Sequence, residues 1–356
     1  MSSLDLSSIR TIVVTGGAGF VGSHVVDDLL RTCPQAQIRV VDAFTSTGLM
    51  SNLDAAFLTG RVMLRQGDVG NLDLMTEVMR DADLVVHAAG ESSLERSYTA
   101  PERFSLSNAI GTQVVVEAMA RTRVPLMIHM SSVEVYGSGA VTALSEQAAL
   151  RPDNPRGGSK AAAEMLIAGL CQSYGLDIRV LRPVNIVGTR QNVDRLVPRF
   201  VEFALVGKPL TIHGDGMQRR GFVTVSDFCA ALRTVVSRGM RNAVYNVASG
   251  EDHAVLDVAQ MVLDHLPGSG SEIVFSGGRA QNVSHPEIDA SALEALGWKA
   301  TGRLASALPA IASWHRGRMP AAARQAVAAV PELAPRSVRA VVQPAGSGLF
   351  RSLERH

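Results

Sequence analysis

The chain has 356 residues, of which 46% are hydrophobic and 19% charged, with a formal net charge of +1. That apolar content excludes a disordered chain, and so small a net charge excludes a field that would gather nucleic acid or an anionic membrane surface. Cys33, Cys171 and Cys229 are scattered and odd in number, so neither a disulfide framework nor a thiolate metal site is expected, and the dispersed histidines suggest no metal cluster. Met1 is followed by Ser-Ser-Leu-Asp-Leu, which lacks the basic and apolar regions of a secretory leader. No run approaches the roughly 18 apolar residues of a membrane span, and a cytoplasmic location is the expectation.

From Arg10 to about Val187, short apolar runs alternate with longer amphipathic ones, the rhythm of a parallel sheet covered on both faces. The pattern predicts strands over 11–15, 37–42, 62–66, 84–88, 126–131 and 177–183, with helices over 21–31, 108–121 and 159–174. After Gly188 the alternation loosens into a helix over 196–206, strands over 210–213 and 222–225, and further helices and turns. An α/β doubly wound domain over 1–187 with a smaller lobe over 188–316 follows, with segments on both sides of Asp227 returning to the first domain. Residues 317–356, rich in Ala, Pro, Arg and Val, read as a mobile C-terminal extension or an oligomer contact.

The first strand runs straight into Thr15-Gly16-Gly17-Ala18-Gly19-Phe20-Val21-Gly22 and then a helix. Gly16, Gly19 and Gly22 have the spacing of a Rossmann loop: a tight turn, a close approach to a pyrophosphate, and close packing of helix on strand. Asp42 ends the second strand twenty residues after Gly22, where a carboxylate accepts hydrogen bonds from an adenosine ribose and repels a 2′-phosphate, so NAD is favoured over NADP. Gly67-Asp68-Val69 follows the third strand, and His87-Ala88-Ala89-Gly90 closes the fourth. There the small Ala88 and Ala89 let the backbone pass beneath a cofactor, while the alternative for Asp68 is a helix N-cap before Leu72. His87 reads as a satisfied core histidine.

Four later tracts carry a resemblance. Glu91-Ser92-Ser93-Leu94-Glu95-Arg96-Ser97 is similar to Glu-Ser-His-Val-Asp-Arg-Ser, and Ser131-Ser132-Val133-Glu134-Val135-Tyr136-Gly137 is similar to Ser-Thr-Asp-Glu-Val-Tyr-Gly. Arg182-Pro183-Val184-Asn185 matches Arg-x-x-Asn, and Gly214-Asp215-Gly216 through Gln218, Arg220 and Phe222 matches Gly-Asp-Gly-x-Gln-x-Arg-Asp-Phe-Val. Together they resemble the extended short-chain dehydrogenases that epimerise, dehydrate or decarboxylate nucleotide sugars. The likeness covers nearly residues 10–316.

The resemblance implies Ser92 and Arg96 facing the sugar and diphosphate, Asp68 and Val69 at the adenine, Asn185 at the nucleotide sugar, and Arg220 on the diphosphate, where a guanidinium fork suits phosphate. Ser132 keeps the hydroxyl that holds the sugar oxygen, and Glu134 keeps a candidate base. Val133 replaces the aspartate that, in dehydratases, protonates the leaving hydroxyl. A homodimer is implied, through the helix carrying Lys160 and its neighbour.

The family's Tyr-x-x-x-Lys is altered. Lys160 is present, but Arg156 stands four residues before it. Spacing i, i+4 puts both side chains on one helix face, yet a guanidinium cannot serve as a base near neutral pH. Tyr98, Tyr136, Tyr174 and Tyr245 all fall elsewhere in the motif scheme. The expected activity is that of an NAD-dependent nucleotide-sugar epimerase passing through a keto sugar, with Ser132, Glu134, Lys160 and Arg156 at the chemistry. A dehydratase or decarboxylase, with Arg156 holding a uronate carboxylate, and a non-catalytic nucleotide-sugar-binding protein are the alternatives.

Overall fold

Runs of β-branched and other apolar side chains, free of interior glycine, form the strands β1 (Thr11–Thr15), β2 (Gln37–Asp42), β3 (Val62–Gln66), β4 (Leu84–His87), β5 (Met127–Met130) and β6 (Ile178–Pro183). The computed structural model describes residues 5–45, 47–138, 142–277 and 286–319. Between these strands lie α1 (Phe20–Thr32), α2 (Asp54–Phe57), α3 (Leu72–Met79), α4 (Leu94–Thr99), α5 (Pro101–Phe104), α6 (Gly111–Thr122) and α7 (Pro155–Tyr174). Then follow β7 (Asn185–Val187), α8 (Leu196–Leu205), β8 (Leu210–His213), β9 (Arg219–Thr224), α9 (Val225–Arg238) and β10 (Val244–Val247). The described chain closes with β11 (Glu251–Ala254), α10 (Val255–His265), β12 (Ile273–Ser276), α11 (Ser291–Glu294) and α12 (Leu304–Arg318).

Among the described residues, seven strands form one parallel sheet in the order β10-β6-β5-β4-β1-β2-β3. The order reverses between β1 and β4, so a crevice opens beyond their carboxyl ends, where ligands bind in this architecture. Smaller sheets, β11-β9-β7 and β12-β8, pack with α8, α10 and α12 around Phe200, Phe222, Leu304 and Ile311. They face that crevice from the far side. None of the described helices is long and apolar enough to cross a membrane.

Where the elements differ from the sequence-based expectation, local chemistry explains it. α7 begins at Pro155 rather than 159 because the Asn154 side chain accepts from Gly157 N at 2.8 Å and proline sits in the first helical turn. The helix expected over 108–121 is preceded by a π-helical turn, Ser105–Ile110. Thr224 caps α9 through Asp227 N, which ends β9 one residue early. α12 continues to Arg318, and residues 320–356, most of the expected extension, lie outside the described residues.

Beneath the carboxyl ends of β5 and β6, Arg182 and Glu164 form a buried pair with Nη2 to Oε2 at 2.5 Å, and Ser131 donates to the same carboxylate. Arg182 also donates to the Tyr136 hydroxyl at 2.8 Å, which in turn donates to Asn246 Oδ1 at 2.8 Å. Asn246 then donates to Leu144 O and Asp289 O. One network thus joins α7, β5, β6 and β10. Removing one partner of a buried pair leaves an uncompensated charge, so Glu164→Ala is expected to lower stability by about 3–5 kcal/mol in urea unfolding.

Candidate active site

The crevice is a cleft of about 480 Å³ running from the α1 amino end to β9, within the size of small-molecule sites. Gly16, at φ +67°, leaves no room for a side chain, since a Cβ there would lie 2.7 Å from Ala89 Cα. Gly22 is packed as closely, with a Cβ position 2.1 Å from Gly16 O. α1 carries no side-chain cap at Gly19, so its first backbone N–H groups face the cleft as an anion cradle. Gly16, Gly19, Phe20, Val21, Gly22, Asp42, Asp68, Val69, Ala88 and Ala89 all line this end. The Asp42 carboxylate is steadied by Ala18 N at 3.0 Å and Phe44 N at 2.9 Å. The donor set fits a dinucleotide.

Asp68 does not cap α3. It accepts from Gly70 N at 2.7 Å, and Asn71 caps the helix by accepting from Leu74 N. Asp68 therefore stays on the cleft wall. His87 is buried, its ring nitrogens bonded to Thr15 Oγ1 at 2.7 Å and Thr112 Oγ1 at 2.9 Å. Burial pushes its pKa down to about 3, a core histidine with no acid–base role near neutral pH.

At the far end the cleft is lined by Ser92, Ser132, Glu134, Arg156, Asn185 and Arg220. Ser132 Oγ accepts from Glu134 N at 3.2 Å, which fixes the oxygen and leaves the hydroxyl proton to donate to a ligand. Val133 is buried in the main core. Arg156 Nη1 bonds Glu134 Oε1 in an ion pair, so the two side chains form one unit. Gly157 makes this approach possible, because a Cβ at that position would sit 2.6 Å from Glu134 O. Asn185 donates to Gly221 O at 2.9 Å, and burial draws the Arg220 guanidinium below its ordinary value, opposed by the charges of Glu134 and Asp252.

Two expected residues lie off the cleft wall. Lys160 is buried behind it and donates to Met130 O at 2.8 Å. Burial, and after it the Arg156 charge, lower its pKa to about 8. Arg96 turns away to pair with Glu91 at 3.7 Å.

Two wall residues went unread in the sequence. Arg195 donates to Ser92 O, so it clamps the post-β4 loop to the start of α8. Its pKa falls to about 10 through burial and then the neighbouring Arg156 charge, with Asp194 opposing from 3.8 Å. A basic residue just before an apolar helix was its only signal. Tyr98 also lines the cleft, contrary to its expected place outside the site. It stands one residue beyond the tract read as motif.

Residues 12–248 match the model of the NAD dependent epimerase/dehydratase family. A low-salt glycan biosynthesis protein, Agl12, of Haloferax volcanii is 32% identical over 86% of this chain and 98% of its own. A dTDP-glucose 4,6-dehydratase from Streptomyces venezuelae, solved with NAD and TYD bound, superposes with a TM-score of 0.83 at 29% identity, covering 87% of this chain and 98% of that one. A UDP-glucose 4-epimerase from Thermotoga maritima, solved with UDP-glucose, does so at 0.80 and 28% identity over 86% and 99%. With the glycine cradle, the ribose carboxylate and the parallel sheet in place, the chain belongs to the NAD-dependent epimerase/dehydratase family of nucleotide-sugar enzymes.

Proposed function

We propose that this protein is an NAD-dependent epimerase of a nucleoside-diphosphate sugar that works through a transient keto sugar. The observation that carries the reading is Val133, 3% exposed within the core. It leaves the tract without an acid to expel a hydroxyl as water, while the hydroxyl of Ser132 and the carboxylate of Glu134 remain on the cleft wall. Gly16, Gly19, Phe20, Val21 and Gly22 would hold the pyrophosphate, Asp42 the adenosine ribose, Asp68 and Val69 the adenine, and Ala88 and Ala89 the floor, with Lys160 lending its charge from behind. Bound NAD supplies a reversible hydride acceptor. Ser132 donates to the sugar oxygen, and Glu134, anchored by Arg156, takes that oxygen's proton; the keto sugar then reorients, or exchanges its C5 proton at Glu134, before hydride and proton return. Arg220 and Asn185 bind the nucleotide sugar, with Ser92 at the sugar.

A lyase acting on a uronic acid is the second reading. What favours it is the presence of two neighbouring guanidinium groups, Arg156 and Arg195, on the same wall, a pairing suited to a substrate carboxylate. Incubation with a panel of UDP- and dTDP-sugars separates the readings by product mass. An isomer of unchanged mass is expected; loss of water or carbon dioxide indicates the lyase, and tight binding without turnover sinks both. Glu134→Gln is expected to lower turnover about 10²–10⁴-fold, and Arg156→Tyr to lower it as well, whereas a non-catalytic binding protein would gain activity from the tyrosine.

The Lys160 ammonium loses its proton as pH rises through about 8, so NAD affinity measured by calorimetric titration should fall above that pH. Arg156→Gln removes a repelling charge, which raises the Lys160 pKa and moves the fall to higher pH. Homodimerisation through α7 is part of the proposal. Its support is exposed apolar side chains at Met165 on α7 and at Leu106 and Ile110 on the π-helical turn that packs against α7. Met165→Asp should shift the mass measured by light scattering from dimer to monomer.

A further inference from the structure

Position 156 carries no phenol, yet a phenol is present at the site. The sequence contains four tyrosines, and three are committed elsewhere. The Tyr136 hydroxyl lies between Arg182 and Asn246 in the buried network. That of Tyr245 accepts from Met240 N at 2.8 Å, with the residue 2% exposed. Tyr174 is the exposed last residue of α7. Tyr98, on α4, shares the cleft wall with Ser132, Glu134 and Arg156.

The short helix that delivers it is held on several sides. Ser93 caps α4 by accepting from Arg96 N at 3.4 Å, and the buried Ser97 donates to Leu94 O at 2.7 Å. Arg96 ties the helix to Glu91, and α4 packs on α5 and α7. With Ser97 turned into the protein, the next side chain, Tyr98, is left on the cleft. Partial burial, then the carboxylates of Asp153 and Glu134, push its phenol above the ordinary value. The hydroxyl therefore keeps its proton near neutral pH and acts as a donor.

We propose that Tyr98 donates a hydrogen bond to the sugar oxygen that Ser132 also contacts, so that the phenol of this site stands on α4 instead of α7. The assignment rests on the nucleotide-sugar reading above. When the sugar is oxidised, the carbon-bound hydrogen leaves with its electron pair to the cofactor and the hydroxyl proton leaves to Glu134. The oxygen left behind is a carbonyl, able only to accept, and on the return it gathers negative charge before it is reprotonated. Tyr98 retains its own proton throughout and stabilises that charge, while Glu134 carries the transferred one. Acceptor and donor roles, combined in one tyrosine elsewhere in such chemistry, are divided here between two side chains.

Tyr98→Phe tests this in two independent ways. The first compares affinities by calorimetry for UDP-glucose against UDP and for dTDP-glucose against dTDP. The variant should lose about 3–10-fold on the sugar nucleotide that the wild type prefers and nothing on the bare diphosphate. The second measures turnover of the substrate found in the panel, where kcat should fall about 10²–10³-fold and KM should rise by no more than the loss of affinity, about 3–10-fold. A Tyr98→Phe protein that keeps both the wild-type affinity difference and the wild-type kcat overturns the assignment. So does a loss seen in Tyr98→Leu but absent in Tyr98→Phe, which would mean that the ring packs and the hydroxyl does nothing. If the wild type turns over no sugar nucleotide, the enzymatic reading fails by itself, and the affinity difference alone decides the role of Tyr98.

Discussion

The buried pair of Arg182 and Glu164 is the constraint on which the site depends. Glu164 sits on α7, two turns beyond Arg156 and one beyond Lys160, and its carboxylate also accepts from Ser131 at the end of β5. Arg182, the last residue but one of β6, reaches Tyr136 in the turn after β5. Two charges are costly to remove from water, and they repay that cost only when their geometry is closely satisfied. Satisfying them fixes the azimuth of α7 against the sheet, and with it the direction in which Arg156 and Lys160 leave the helix. The reacting end of the cleft is thus positioned by a pair, Arg182 and Glu164, that does not line it.

The cofactor end could be read from the chain because its physics is local. A glycine triplet at the junction of strand and helix, followed by a carboxylate at the end of the next strand, needs only neighbouring backbone to acquire its meaning, and Gly16, Gly22 and Asp42 stand where the pattern put them. The far end could be read only in part. The partner of Arg156 is Glu134, 22 residues away, and no spacing rule links the two. The place of Tyr98 depends on which way α4 turns after the loop that follows β4, which a hexapeptide's pattern does not specify. In sequence Asp68 is open to two readings, adenine contact or helix cap, and its turn to Gly70 N, with Asn71 capping α3, leaves it on the cleft wall.

Set against the pattern the resemblance implies, arginine at 156 and valine at 133 together remove two titrating side chains from the proposed site. At position 156, where the resemblance implies a phenol, a permanent cation pairs with the neighbouring carboxylate and, after burial, lowers the pKa of the lysine one turn on. At position 133 an acid gives way to core packing. On the proposed reading, the groups that hold the ligands keep the pattern the family resemblance implies, while those that would move protons gather around Glu134.

The missing side chain of Gly157 has a further consequence. Backbone of α7 meets backbone of the turn after β5 at a distance that even a methyl group would prevent, so the placement of residue 156 is set by main-chain contact and is indifferent to what that residue is. Position 156 is therefore a socket. A different side chain there would meet the same main chain, so the ion pair with Glu134 is what an exchange would remove and the path of the helix is what would remain.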